Sequence, residues 1–581
     1  MELESLLPRV TKPARYTNGE WNAAHKDPAG VRARFALVYP DAYEVGMSHL
    51  GLQVLYHVLN SHPDYLAERS FAPWPDMEQQ LRARGLPLAS LESRTPLRDF
   101  DAIGITLPYE LTYSNVLNLL DLAGIPVRAA DRGPDDPLVI GGGPGAVNPE
   151  PMADFFDAIL IGEGEEAILE IAEAAAEDDR DAALARLGEI PGVYVPANYQ
   201  AAFAGAGPLG SVTPRNSAPA HIVRRLVTDL DQAPFPTHQI VPFLDTVHSR
   251  VTLEIMRGCT RGCRFCQAGA TYRPRRERSV ATLLRQAEEA VAATGYDEIS
   301  LLAFTSVDHR EIEELAAELV ARFGSRGIGI ALPSMRVDAF SVALANTIQQ
   351  VRKSGLTFAP EAATPRLRRV IGKPMTEDEL FAAADAAFSS GWTRFKLYFM
   401  IGLPTETDED VAAIADLVQR LVAFGRGALG SRAGRLRIAV SIGAFVPKPH
   451  TPFQWVRQDS RDSLNHKQHI LQQGLRGRAI KLSWTDADVS ALEAAISRGD
   501  RRLGRAIEGA WRLGATFDAW GERFDFSRWE RAFRDADLHL EDYANRSLEV
   551  NDSLAWDHIS CGPEKDALRA EAEQALGRGE A

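Results

Sequence analysis

The chain has 581 residues, 45% hydrophobic and 25% charged, with a formal net charge of −15. At roughly 150 residues per domain, that length implies about four units, and the composition is that of a globular protein rather than a disordered one. The acidic excess argues against bulk nucleic-acid binding, which needs surplus Lys and Arg, and no run approaches the ~18 apolar residues of a membrane span.

Residues 1–30 are polar and show no periodic element, so they read as an N-terminal extension. The opening MELESLLPRV has no basic segment followed by an apolar run, so no secretory signal is expected and a cytoplasmic location is. From 31 to 200 the pattern changes. RFALVYP, DAIGITLP, PLVIGGGPG and the start of DAILIGEGEEAILEIAEAAA are short apolar runs, each followed by a helical period. That alternation predicts an α/β unit with a doubly wound, Rossmann-like parallel sheet, whose ligands sit beyond the carboxyl ends of the strands. Residues 201–245 are rich in Gly, Ala and Pro and read as a linker. Between 246 and 455, strands are expected at 250–256, 298–303, 329–332, 356–359, 394–400 and 437–443, with helical stretches between them. Six such units suit a partial (β/α)6 barrel with its site at the strand C-termini. Residues 456–581 read as a mostly helical C-terminal domain.

The four cysteines are too few for a disulfide scaffold, and three of them cluster in MRGCTRGCRFCQ as Cys259, Cys263 and Cys266. This C-x3-C-x2-C loop directly follows a predicted strand. Three thiolates on one loop hold three corners of a 4Fe–4S cube and leave the fourth iron open, whereas closed clusters use four Cys. Gly258 and Gly262 let the backbone fold closely around it. The alternative is a structural zinc site completed by a distant His such as His248, although zinc ligands more often come in two pairs.

The loop resembles the signature of the radical S-adenosylmethionine (SAM) superfamily, with Phe265 in the aromatic slot before the last Cys. The resemblance implies that SAM chelates the open iron and is cleaved reductively to a 5′-deoxyadenosyl radical, with electrons from a reductant such as ferredoxin or flavodoxin. It further implies roles at other strand ends. Ser306 and Asp308 are candidates for the methionine ammonium, although LLAFTSVDH departs from the family's Gly-Gly-Glu-like turn. Arg336 is a candidate for the carboxylate and Glu361 for the ribose hydroxyls. The backbone of Met400, Ile401, Gly402 and Leu403 would edge the adenine. FVPKPHTPFQW is a rigid, proline-bearing loop at the barrel mouth, where Lys448 or His450 meets substrate or merely packs.

The amino-terminal sheet resembles the cobalamin-binding domain fused to many of these enzymes. Its first turn carries D-x-Y-x-x-G, with Asp41 and with Tyr43 where that family has a cobalt-ligating His, so any cobalamin would bind His-off. Gly141, Gly142 and Gly143 would line the nucleotide tail and Gly162, Glu163 and Gly164 the far wall, with Thr106 ending another strand at the same edge. The methylthiotransferases that resemble this barrel carry three further cysteines in the amino-terminal domain. This chain has none before Cys259, which argues against sulfur insertion.

In the tail, LAWDHISCGPEK places Cys561 beside His558, as a nucleophile or radical quencher or else as a buried, inert thiol. YRPRRERS and PRLRRVIGK are basic stretches that bind phosphate or sit as solvated helix starts. The chain is thus expected to be an iron–sulfur radical SAM enzyme and a cobalamin-dependent methyltransferase, with its substrate (RNA, peptide or small molecule) unidentified. Cobalamin-independent modification of RNA or protein, and a non-catalytic electron carrier, stand as the alternatives.

Overall fold

A computed structural model describes residues 3–577 except 204, 206, 216, 333–355 and 374. Arg336 therefore lies outside the described residues. The first sheet comprises β1 (Ala33–Tyr39), β2 (Tyr65–Phe71), β3 (Ala102–Thr106), β4 (Leu138–Gly142), β5 (Ala158–Leu160) and β6 (Val193–Tyr194) in the order β2-β1-β3-β4-β5-β6. All pairings are parallel except β5 with β6. Six of the seven residues of β1 are buried, as a strand covered on both faces requires.

The N-terminal extension holds only short 3-10 turns, yet it is not loose. It covers β2, an edge strand with a polar centre. Arg69 in β2 is buried and pairs with Glu20 of the extension at 3.1 Å and with Glu92 at 2.6 Å. Arg15 binds Glu44 at 2.9 Å beside it.

The 201–245 stretch is more structured than its composition suggests. It completes a hairpin of β7 (Tyr199–Phe203) and β8 (Gly210–Pro214) and supplies β9 (Ile222–Val223), which pairs with β19 (Ile559–Ser560) near the far end of the chain. All six predicted strands of the next region form. β10 (Val251–Glu254), β13 (Glu298–Leu302) and β14 (Gly329–Ala331) make one parallel sheet. A second parallel sheet holds β15 (Leu356–Glu361), β16 (Arg394–Ile401), β17 (Arg437–Ala444) and β18 (Ile480–Trp484). β18 lies in the region expected to be helical. It is an edge strand with no fully buried residue, so it shows no core alternation. Between β10 and β13 lies the short antiparallel ribbon of β11 (Met256–Arg257) and β12 (Arg276–Glu277). The connecting helices carry strong end signals. In Asp408–Leu429, Thr407 and Asp410 satisfy each other's backbone N–H groups.

The C-terminal helices do not stand apart. Leu492, Ile496, Leu503, Ile507, Trp529 and Phe533 belong to one buried cluster with Ile103, Val139 and Ile159 of the first sheet. Among the described residues, no helix is long and apolar enough to cross a membrane. Because the two segments share one core, Ile507→Ala should cost about 2–5 kcal/mol. Thermal unfolding monitored by tryptophan fluorescence should show sheet and helices melting together at a lower temperature. Independent transitions, with only the second one shifted, would contradict the shared core.

Candidate functional site

The cysteine loop is closed at its base by β11 and β12. Gly258 makes the turn at φ 88°, and a Cβ there would stand 2.6 Å from Tyr272 O and 2.7 Å from Pro274 O, so only glycine fits. Cys266 then caps the helix Gln267–Thr271, its Sγ accepting from Gly269 N at 3.2 Å. Cys259 Sγ accepts from Arg261 N at 3.4 Å. Burial pushes the Cys263 thiol up to about 11, and the neighbouring thiols add to that while Lys373 opposes it. Burial raises Cys266 as well, against the Gly269 N–H. Binding iron therefore displaces protons from these sulfurs. Among the described residues, no three His, Cys, Asp or Glu side chains are gathered as a lone ion would need. His248, the candidate fourth zinc ligand, instead bonds Arg250 at 3.0 Å. The three thiols on one loop, supported by N–H···S bonds, suit a 4Fe–4S cluster.

The strand ends deliver part of the expected set to this loop. Glu361 ends β15 at φ 64°, a costly conformation for a residue with a side chain, and receives Lys373 Nζ at 3.0 Å. Lys373 in turn acts on Cys263 and Cys266. Gly372 lies directly on the loop, where a Cβ would be 2.5 Å from Gly262 O. Arg264 ties the same segments together through Ile371 O, Arg369 O and Val370 O. Phe265 packs in one apolar cluster with Met400, Leu403, Ile371, Phe445 and Phe453. Ile401 is buried, and Gly402, at φ 77°, donates its N–H to Glu406 at 2.6 Å. The sequence reading passed over Glu406. It is buried beside Lys467, at 2.8 Å, and burial pushes its carboxyl up to about 7 against that cation. Asp308 stands over the loop, 3.5 Å from both Thr260 and Arg261. Ser306 does not face the loop. It is wholly buried, and its hydroxyl donates to Leu301 O at 3.1 Å, which makes it part of the turn.

Three arginines of the basic stretches are consumed internally, while Arg273, Arg366 and Arg369 remain exposed. Arg276 and Arg278 are buried, as is Arg368, which donates to Ala362 O and Met375 O. Arg276 Nη1 and Nη2 meet Glu163 at 2.7 and 2.8 Å, and Arg257 reaches Glu163 at 3.2 Å and Glu165 at 2.7 Å. Arg257 and Arg276 are the β11 and β12 residues that bracket the cysteine loop. The Gly162–Glu165 turn at the end of β5 is therefore a clamp on that loop rather than a wall for a ligand. Gly162 itself lies against Arg225, where a Cβ would be 2.3 Å from the carbonyl oxygen, and Gly164 packs on Leu55.

Several of the other residues expected to meet cobalamin are also engaged within the protein. Tyr43 is buried and donates its hydroxyl to Glu20 at 2.8 Å, so it does not face a ligand. Asp41 accepts from Trp520 Nε1 at 2.8 Å. Gly141 packs on Phe156, and Gly143 lies beside Thr106 and Leu107 O. Lys448 binds Glu110 at 2.7 Å and Glu493 at 3.0 Å, and His450 Nε2 donates to Val147 O at 2.8 Å. A partly open pocket lies between Gly145 and Gln267, and Thr106, Gly142 and Gly143 at the strand ends stay partly exposed. Tyr43, Asp41 and the Gly162–Glu165 turn, bonded within the protein, do not fit the roles of cobalamin ligand and wall. Cys561 is buried and its thiol is pushed up to about 12, so it carries no thiolate at neutral pH.

A three-thiol loop leaving a parallel strand, with further strand ends converging on it, defines the radical SAM fold. Residues 253–418 match the radical SAM superfamily and residues 51–196 the N-terminal domain of radical SAM proteins. The chain belongs to the radical SAM superfamily of enzymes. It is 27% identical over 476 residues to an uncharacterised protein of Methanocaldococcus jannaschii, covering 81% of this chain and 90% of that one. An uncharacterised methyltransferase of Pyrococcus horikoshii is 26% identical over 212 residues, 36% of this chain and 44% of its own. The fold is similar to that of the radical SAM methyltransferase TsrM from Kitasatospora setae, solved with cobalamin and a [4Fe–4S] cluster. The TM-score is 0.53 at 14% identity, over 87% of this chain and 99% of that one.

Removing one partner of the buried clamp leaves guanidinium charge uncompensated, so Glu163→Ala should cost about 3–5 kcal/mol in chemical denaturation. Burial raises the Glu163 pKa, but hydrogen bonds from Arg276 and the charges of Arg257 and Arg276 outweigh it and hold the carboxyl below its usual range. Its contribution is therefore complete at neutral pH and is lost as pH falls through the carboxylate range. An acid-side loss of stability that is the same in the wild type and the variant would contradict this.

Proposed function

We propose that this enzyme generates a 5′-deoxyadenosyl radical at Cys259, Cys263 and Cys266 and uses it to modify an unactivated carbon of its substrate without cobalamin. The observation that carries this reading is the three-thiol loop set among converging strand ends, while Tyr43 and Asp41 at the edge of the first sheet are bonded to Glu20 and Trp520. A 4Fe–4S cluster held by these thiols would supply one-electron reduction of SAM, the chemistry that no side chain provides.

The protein's own part is positional. Gly258 and the β11–β12 ribbon hold the loop, and Glu163 and Glu165 fix the ribbon. Phe265, Met400 and Leu403 give the loop an apolar flank that excludes water. Glu361 and Asp308 are carboxylates at strand ends beside the loop. They are candidates for the SAM ribose and ammonium respectively. A cytoplasmic setting with ferredoxin or flavodoxin would supply the electron.

The second reading is methyl transfer. It is favoured by the likeness to the Pyrococcus horikoshii methyltransferase and by the TsrM-like fold. Its cobalamin-dependent form would need a corrin at the sheet edge where Tyr43 and Asp41 are bonded to Glu20 and Trp520.

Anaerobically reconstituted protein, given dithionite and SAM, should release 5′-deoxyadenosine and methionine, read by mass spectrometry. Cys263→Ala should lose its iron and fall to the level of the protein-free control. Product formation that survives Cys263→Ala, or none from a fully loaded wild type, would refute the reading.

A further inference from the structure

In doubly wound sheets, ligands sit beyond the carboxyl ends of the strands, where the strand order reverses. Here the C-terminal segment reaches that edge at several points. At the ends of β1 and β2, Trp520 bonds Asp41, and Phe517 and Trp520 pack on Trp74 with ring centroids 4.9 and 5.0 Å apart. Phe517 N donates to Asn115 Oδ1 at 2.6 Å, and Asn115 donates onward to Pro40 O at 2.8 Å. Ser114, at the start of the helix after β3, donates to Asp518 at 2.6 Å. Beyond β4, Asn148 donates to Ser497 O at 3.0 Å and Gly499 O at 2.9 Å. The end of β5 carries the Arg257–Arg276 clamp.

These are specific contacts rather than incidental coverage. Phe517 holds φ 56°, a conformation that a bulky side chain adopts only when its surroundings enforce it. Asp41 is buried, and its Oδ1 accepts from Trp520 Nε1 at 2.8 Å and Ala42 N at 2.7 Å. The helices behind this segment share the first sheet's core, so displacing it means breaking that core.

We infer that the 497–520 segment is a built-in occupant of the crevice that would otherwise receive cobalamin. The amino-terminal domain then serves as a brace for the cysteine loop. This deepens the reading given above and rests on it only for the activity readout.

The test uses the full-length, cluster-reconstituted protein incubated anaerobically with hydroxocobalamin or methylcobalamin and then gel-filtered. Cobalt is measured by atomic absorption and 5′-deoxyadenosine in parallel. The expected result is no cobalt above that of a non-binding control protein, with 5′-deoxyadenosine formation unchanged by either corrinoid. Retention of one cobalamin per chain would overturn the inference. So would 5′-deoxyadenosine formation that appears only when cobalamin is added. Should no 5′-deoxyadenosine form under any condition, the radical reading fails, while the cobalt measurement still decides who occupies the crevice. Trp520→Phe keeps an aromatic side chain and removes the indole N–H that binds Asp41. It should leave 5′-deoxyadenosine formation as in the wild type; cobalt retained by this variant and not by the wild type would support the segment as occupant, and retention by both would overturn it.

Discussion

Two carboxylates on one glycine turn hold two arginines on one short ribbon, and the rest of the site depends on that contact. Glu163 and Glu165 leave the end of β5 in the first sheet, while Arg257 and Arg276 stand on either side of the cysteine loop. A buried ion pair adds little net stability, because desolvation cancels most of the attraction, but breaking one is expensive. Its value here is positional. The bidentate fork of a guanidinium fixes direction as well as distance, so the loop that would carry the cluster takes its orientation from a domain more than ninety residues upstream. Val227 adds a backbone N–H to Glu163 at 2.7 Å, drawing the connecting segment into the same knot.

Close backbone approach makes the clamp possible. Gly162, Gly258 and Gly372 sit where a Cβ would lie under 3 Å from another segment's carbonyl oxygen, and all three have positive φ. They let three chain segments meet around the cysteines without a side chain between them. The strain that remains falls on residues that cannot be glycine. Glu361 is the case nearest the loop, held at φ 64° with Lys373 as its counter-charge. Lys373 thereby lies within electrostatic reach of the thiols, placing a positive charge beside sulfurs that must lose their protons to bind iron.

Much of this was legible in the sequence because it is local. The strands of both α/β regions show as apolar runs between helical periods, and C-x3-C-x2-C is a spacing that survives any tertiary arrangement. What was not legible is what depends on partners far along the chain. The Gly162–Glu165 turn looks like the far wall of a ligand site until Arg257 and Arg276 are seen beside it. Tyr43 looks like a replaced cobalt ligand until Glu20 is found on its hydroxyl. The basic stretch 272–279 looks solvated until Arg276 and Arg278 prove buried. β18 is nearly all surface and so carries no period-2 signal. Ser306 sits at the expected strand end, but a single side-chain rotation decides whether such a hydroxyl faces a ligand or its own backbone, and here it bonds Leu301 O.

The account stands on an iron cube gripped by Cys259, Cys263 and Cys266 with one vertex open to the sulfonium ligand. Electron paramagnetic resonance of the dithionite-reduced protein, recorded with and without SAM, tests this most directly. Binding of the amino and carboxylate groups at the open iron should shift the g-values of the reduced cluster, and isotopically labelled SAM should show hyperfine coupling to it. A reduced cluster whose spectrum is indifferent to saturating SAM, or purified protein that carries zinc in place of iron, would contradict the account.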